Sequence, residues 1–303
     1  MAGSKTQFDA DVQKALLKTK GVYFPVKTGL LTRLLIMKAP CRSLYPNPED
    51  EFCAPEIGPS WEIITSYEET FLNNIRSNVH YFHHIAPIVV ERLHPDGYMI
   101  INGHHRWAAA RRINQAKIPV QIVNLMHSAD VKKILANSTH EKRAALDLDE
   151  VLLRGEDDPF LEKPLPFPWN RLYRERIRLG VPALFHQLEK SGYDIWLYSF
   201  QYHSADAIQG FFRRYHVHVD GVITAVEKRQ AAGREDGESL EKLIQNKYRC
   251  TLHIDNESVL QIFRDTKEHR EFPLSGAPDT WSQEIVDMLE KLESESGKAG
   301  KAI

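Results

Sequence analysis

Two carboxylates near the middle of the chain, Asp147 and Asp149, are the residues whose types and spacing best suit them to chemistry. They interrupt an apolar run, Ala144-Ala145-Leu146-Asp147-Leu148-Asp149-Glu150-Val151-Leu152-Leu153. In a strand, residues i and i+2 point to the same side, so the two acids would converge just beyond a strand's end. Ligands of open α/β sheets bind at the carboxyl ends of the strands. One carboxylate there can hold a divalent cation or attack phosphorus while its neighbour moves a proton. A second constellation is Asn102-Gly103-His104-His105-Arg106, followed by Trp107-Ala108-Ala109-Ala110-Arg111-Arg112. A strand running through a Gly turn into an Ala-rich helix offers free N–H groups to an anion. The His and Arg side chains would add charge-assisted hydrogen bonds to phosphate oxygens.

The elements around Asp147 alternate regularly. A helix is expected from Gly180-Val181-Pro182 through Lys190, then a strand Asp194–Tyr198 ending at Ser199. Helix Ser204–Tyr215, strand Val217–Ile223, helix Glu238–Lys247 and strand Arg249–Ile254 follow, the last ending at Asp255-Asn256-Glu257. Such alternation means a parallel sheet with crossover helices. It brings Asp147/Asp149, Ser199 and Asp255/Glu257 to one edge. Arg171, Arg174, Arg176 and Arg178 read as a solvated face, and Trp196 and Phe200 read as core.

The first half is organised differently. Residues 40–59 are rich in Pro and acid, which excludes helix and favours a rigid loop. Trp61–Asn78 has the spacing of an amphipathic helix, with Ile64, Tyr67, Phe71 and Ile75 on one side. Pro87–Leu93 and Tyr98–Ile101 should pair as a hairpin across Pro95-Asp96-Gly97. Leu30–Met37 is strand or helix; a run so short is not decided by period.

Length, charge and cysteines bound the function. At 303 residues there is room for two cores. With 39 basic against 41 acidic residues the net charge is −2, so duplex DNA is not an expected partner. Cys41, Cys53 and Cys250 are widely spaced and odd in number, which reads as reduced thiols in a cytoplasmic protein. No window approaches the roughly 18 apolar residues of a membrane helix.

Leu44-Tyr45-Pro46-Asn47-Pro48, Pro87–Val90 and Ile100–Ala110 followed by Ile118-Pro119-Val120 resemble the N-terminal domain of ParB partition proteins. That domain shares its fold with sulfiredoxin and free-serine kinases. The resemblance covers about Pro40 to Leu125. It implies a nucleotide- or phosphate-binding domain of α+β type over residues 1–128, with Asn102, Gly103, His104, His105 and Arg106 as the ligand-contacting box. ATP, ADP or CTP would be the nucleotide. His105 stands where sulfiredoxin has its cysteine, and no helix-turn-helix follows Leu125. By analogy with the kinases, Glu56 or Glu62 would be a base.

Residues 144–293, after a linker at 129–143 and before a tail at 294–303, resemble the haloacid dehalogenase-like phosphohydrolases, with their parallel Rossmann-like sheet. The resemblance implies Asp147 as phosphoryl-accepting nucleophile, Asp149 as acid/base and Ser199 as a phosphoryl-binding hydroxyl. Lys228, or Lys242 in reserve, would be the balancing cation. Mg2+ would be held by Asp147, Asp149 and Asp255. Glu150-Val151 replaces the family's usual Gly-Thr, and Asp-Asn-Glu replaces its paired aspartates. The leading expectation is a Mg2+-dependent phosphohydrolase or phosphotransferase acting on a small phosphate ester or nucleotide. A small-molecule kinase with its chemistry in the first domain is one alternative. A nucleotide-switched binding protein on a degenerate scaffold is the other.

Overall fold

The computed structural model describes residues 23–54, 56–225 and 239–299. The chain divides into two compact units, with the break between Asn124 and Leu125.

In the first unit the elements are β1 (Phe24–Pro25), α1 (Leu30–Leu34), β2 (Met37–Pro40), β3 (Leu44–Tyr45) and α2 (Trp61–Arg76). They continue with β4 (Ile88–His94), β5 (Tyr98–Asn102), α3 (His104–Arg112) and β6 (Lys117–Ile122). Leu30–Met37 is therefore both alternatives in turn, a helical turn and then the start of a strand. The sheet runs β2-β6-β4-β5-β3, with β1 paired to β4. Strands β4 and β5 form the antiparallel hairpin, with Gly97 at φ +86° in its turn. Ser60 caps α2 by accepting the Ile63 N–H, and Ile64 and Phe71 turn its apolar stripe into the core. Trp107, Ala108, Ala109 and Ala110 of α3 are wholly buried, so the Ala run is there because the helix is packed on all sides.

The second unit contains α4 (Ser128–Asn137), β7 (Lys142–Asp147), β8 (Leu153–Arg154), α5 (Trp169–Leu172), β9 (Arg176–Ile177) and α6 (Val181–Lys190). Next come β10 (Tyr193–Ser199), α7 (Ala205–Arg214), β11 (Gly221–Thr224), α8 (Leu240–Lys247) and β12 (Cys250–Ile254). The antiparallel β13 (Ser258–Phe263) and β14 (His269–Pro273) and helix α9 (Trp281–Ala299) complete it. Its sheet is ordered β11-β10-β7-β12-β13-β14. The first four strands run parallel to one another. Strand β7 lies among them with Ala144, Ala145 and Leu146 buried, the near-continuous apolar run of a strand covered on both faces. Residues 129–143, expected as a linker, hold most of α4 and the first two residues of β7. Val131, Ile134 and Leu135 of α4 pack into the core of this unit.

Two local departures bear on the site. After Asp147 the chain makes one wide i→i+5 helical turn, Leu148–Leu152, rather than continuing as strand. Turns of this kind are frequent at functional positions. The expected strand 217–223 is shorter and later, Gly221–Thr224; just before it the Asp220 carboxylate accepts the Ile195 N–H.

Candidate functional site

The register fixes where the acids lie. Leu146 pairs with Ile254, and Asp147 pairs with Tyr198. Asp255 therefore follows β12 level with Asp147 on the neighbouring strand, roughly 4.8 Å away across a parallel ladder. Both line one cleft of about 510 Å³, together with Ala145, Glu150, Val151, Tyr198, Phe200 and Ile223 on the sheet side and Leu240 and Glu241 from α8.

The two central acids have different environments. Asp147 Oδ1 accepts the Glu150 N–H at 2.7 Å, which closes the wide turn. Burial raises the Asp147 carboxyl above its ordinary value; the Glu150 N–H opposes this, and the Asp149 charge adds to it. Asp149 Oδ2 accepts the Ser199 hydroxyl at 2.7 Å and the Phe200 N–H at 3.1 Å. His203 Nε2 stands 3.4 Å from Asp149 Oδ1, a close electrostatic contact. Burial alone would raise Asp149 too, but the His203 contact and the Ser199 hydrogen bond hold it below its ordinary value. The turn thus separates the pair: Asp147 faces the cleft, while Asp149 is tied to the end of β10.

Ser199 is wholly buried. Asp255 Oδ1 accepts the Asn256 N–H at 2.6 Å, and Glu257 is exposed. Asn256 is more than a substitute for an acid. Its Oδ1 accepts from Arg154 at 2.6 Å and Arg178 at 2.8 Å, and its amide nitrogen donates to the Glu150 carbonyl at 3.3 Å. The amide therefore ties the turn after β7 to the loop after β12. Arg178, 3% exposed, lies over the Trp281 ring, so it does not belong to a solvated face. Burial and then the Arg154 charge lower its pKa to about 10. Lys242 is exposed on α8, and Lys228 lies outside the described residues. Phe200, expected in the core, is 50% exposed at the cleft.

Residues that the sequence reading passed over form the cleft's base. Arg143, 1% exposed, donates to Tyr198 Oη and Glu241 Oε1, each at 2.7 Å, and to Thr251 Oγ1 at 3.0 Å. Tyr198 in turn donates to Glu241 Oε2 at 2.9 Å. Burial works against the Arg143 charge, yet Tyr198 and Glu241 more than offset it. Burial also raises the Tyr198 phenol and lowers His253. Nothing in the local pattern marks Arg143 as buried, and only the docking of α8 supplies Glu241. His203, four residues after Ser199, carried no pattern at all.

In the first unit, Gly103 caps α3 at φ +103°, and a Cβ there would fall 2.8 Å from an Arg106 guanidinium nitrogen. Glycine is required on both counts. The Arg106 guanidinium donates to the Ala86 and Pro87 carbonyls and to Asn102 Oδ1. His104 Nε2 accepts the Asn47 N–H at 3.0 Å, and its Nδ1 faces Asp50 Oδ2 at 3.3 Å. His105 Nε2 accepts the Ser60 N–H at 3.1 Å. The two histidines thus pin both ends of the Pro-rich loop, and Phe52 from that loop stacks on His104. Glu56 and Glu62 are exposed.

The fold of this unit is a mixed sheet with parallel and antiparallel pairs crossed by helices. Residues 60–139 match the ParB N-terminal domain family. The match takes in α2, β4, β5, α3 and β6 and extends past the break at Asn124 through α4. No curated protein matches the chain. No three His, Cys, Asp or Glu side chains capable of holding a metal gather among the described residues. No helix among them is long and apolar enough to cross a membrane.

Proposed function

We propose that the second unit is a phosphohydrolase of the haloacid dehalogenase type, with Asp147 as the group that accepts the phosphoryl. The observation that carries this reading is the placement of Asp147 and Asp255 at the ends of adjacent parallel strands, both lining one cleft. The strand order and the wide turn directly after Asp147 support it as well. Mg2+ keeps several waters and takes only one or two carboxylates. Asp147 and Asp255 suit that requirement, whereas the Asp149 carboxylate is committed to Ser199, Phe200 and His203. The cation, when bound, would neutralise charge on the transferring group.

Asp147 forms a bond to phosphorus as the ester P–O bond breaks. The departing oxygen takes a proton from solvent water. Water then attacks the aspartyl-phosphate, giving a proton to the ionised Asp149 and releasing phosphate. Ser199 and the Phe200 N–H hold Asp149 in place for that transfer. The test is phosphate release from small phosphate esters and nucleotides with Mg2+, comparing the native protein with Asp147→Asn. Release that needs Asp147 is expected; release unaffected by Asp147→Asn would sink the assignment.

The match to the ParB N-terminal domain favours a second reading for the first unit. There Gly103–Arg106 would take ATP, ADP or CTP, either as a small-molecule kinase or as a nucleotide-switched binding module without turnover. The inward commitment of Arg106 and the two histidines weighs against it. Calorimetric titration with the three nucleotides decides: no binding ends this reading. Binding that His105→Ala abolishes would establish it, and an amino-acid kinase assay then separates its two forms.

A further inference from the structure

We propose that the cleft selects phosphomonoesters in which an aromatic ring bears the phosphate oxygen directly. This rests on the reading of Asp147 as phosphoryl acceptor. A volume of about 510 Å³ is of the size that encloses a small ligand. Its apolar wall comes from Val151, Tyr198, Phe200, Ile223 and Leu240, and the small side chain of Ala145 leaves room between Tyr198 and His253. Tyr198 is the register partner of Asp147, and the Phe200 backbone bonds Asp149. The apolar wall therefore begins one residue from the reacting carboxylates. Whatever carries the phosphate must be apolar at once, not after a spacer.

The charged groups of the cleft support the same reading. Glu241 has Oε1 occupied by Arg143 and Gln245, and Oε2 by Tyr198. Ser239 Oγ accepts the Lys242 N–H. A sugar or glycerol phosphate would set most of its hydroxyls against Val151, Phe200, Ile223 and Leu240, with only Glu150, Ser239 and His253 placed to pair them, which is costly. A ring gains contact with the exposed face of Phe200 and needs no partner. The His253 imidazole makes no hydrogen bond among the described residues and remains free to meet one polar substituent on the ring. In the reaction the P–O(aryl) bond breaks, its electron pair leaves on the phenolic oxygen, and solvent water supplies that oxygen's proton.

The experiment uses the full chain with Mg2+ and compares kcat/KM for phenyl phosphate and glycerol 2-phosphate. A preference of about a hundredfold for the aryl ester is expected, reduced about tenfold by Phe200→Ala, mainly through KM. In parallel, calorimetry measures binding of the same two esters to Asp147→Asn. Equal kcat/KM for the two esters would overturn the proposal and leave the role of Asp147 standing. Selective binding of phenyl phosphate, weakened by Phe200→Ala but with no turnover of either ester, would uphold the aryl cleft and overturn the catalytic reading. Neither binding nor turnover would overturn both.

Discussion

The corner at Gly103–Arg106 and the edge at Asp147–Asp149 look alike in sequence, and the structure uses them in opposite ways. Each is a cluster of ionisable residues where a strand ends in a turn. At the first corner the side chains face the protein: Arg106 reaches the Ala86 and Pro87 carbonyls, and His104 and His105 hold the Asn47 and Ser60 N–H groups. At the second, Asp147 and Asp255 line an open cleft while Asp149 is held from behind. A charged motif at a strand end therefore has two physical uses, to close a loop or to meet a ligand. What separates them is whether nearby backbone groups consume its hydrogen-bonding capacity.

The largest effect that tests this contrast is on turnover. Asp147→Asn should lower phosphate release by at least about a thousandfold, as loss of a nucleophile does. His105→Ala should leave release within about twofold, because its bond is to the Ser60 N–H. A comparable loss from both variants would erase the distinction.

Stability should show the reverse order. Truncating the buried Arg106 takes its donor from the exposed Ala86 carbonyl and from the half-buried Pro87 carbonyl and Asn102 amide. Arg106→Ala should cost roughly 2 kcal/mol, with His105→Ala nearer about 1 kcal/mol. With two compact units the chain need not unfold in one step, so hydrogen exchange across 23–124 is the proper readout. Protection unchanged in Arg106→Ala would mean that the guanidinium is poised for a ligand after all.

How much of this was legible beforehand depends on the range of the interaction. The hairpin Ile88–Asn102, helix α2 and the alternation from β7 to β12 follow from local period and turn chemistry, and the structure has them with ends shifted by a few residues. Sequence likewise led to the shared edge of Asp147, Ser199 and Asp255, since a parallel sheet permits no other edge. What it did not reveal needs tertiary contact. Glu241 meets Arg143 only because α8 packs beside β7 and β10. Phe200 escapes the core because β10 ends at Ser199. The histidines at 104 and 105 resemble phosphate ligands until the loop from Asn47 to Ser60 is in place. Period cannot say that a side chain is already spoken for.

The smallest effect concerns what it costs to keep Asp147 facing the cleft. Its carboxyl is raised in the fold chiefly by burial, so the unfolded chain gives up that proton at a lower pH than the folded one does. Below both values the group makes no difference between the states. As pH rises through the unfolded value and then the folded one, the ionised form favours unfolding, and that loss persists at neutral pH. Asp147→Asn cannot ionise, and its Oδ1 can still accept the Glu150 N–H. In chelator-treated protein the variant should melt higher than the native chain at pH 7, by no more than about 3 °C because the partly exposed carboxylate is screened. At about pH 3, near or below the ordinary carboxylate range, the gain should shrink toward zero. A gain of equal size at both pH values would mean that charge is not its cause, and the contrast with the self-satisfied corner at Arg106 would lose its electrostatic basis.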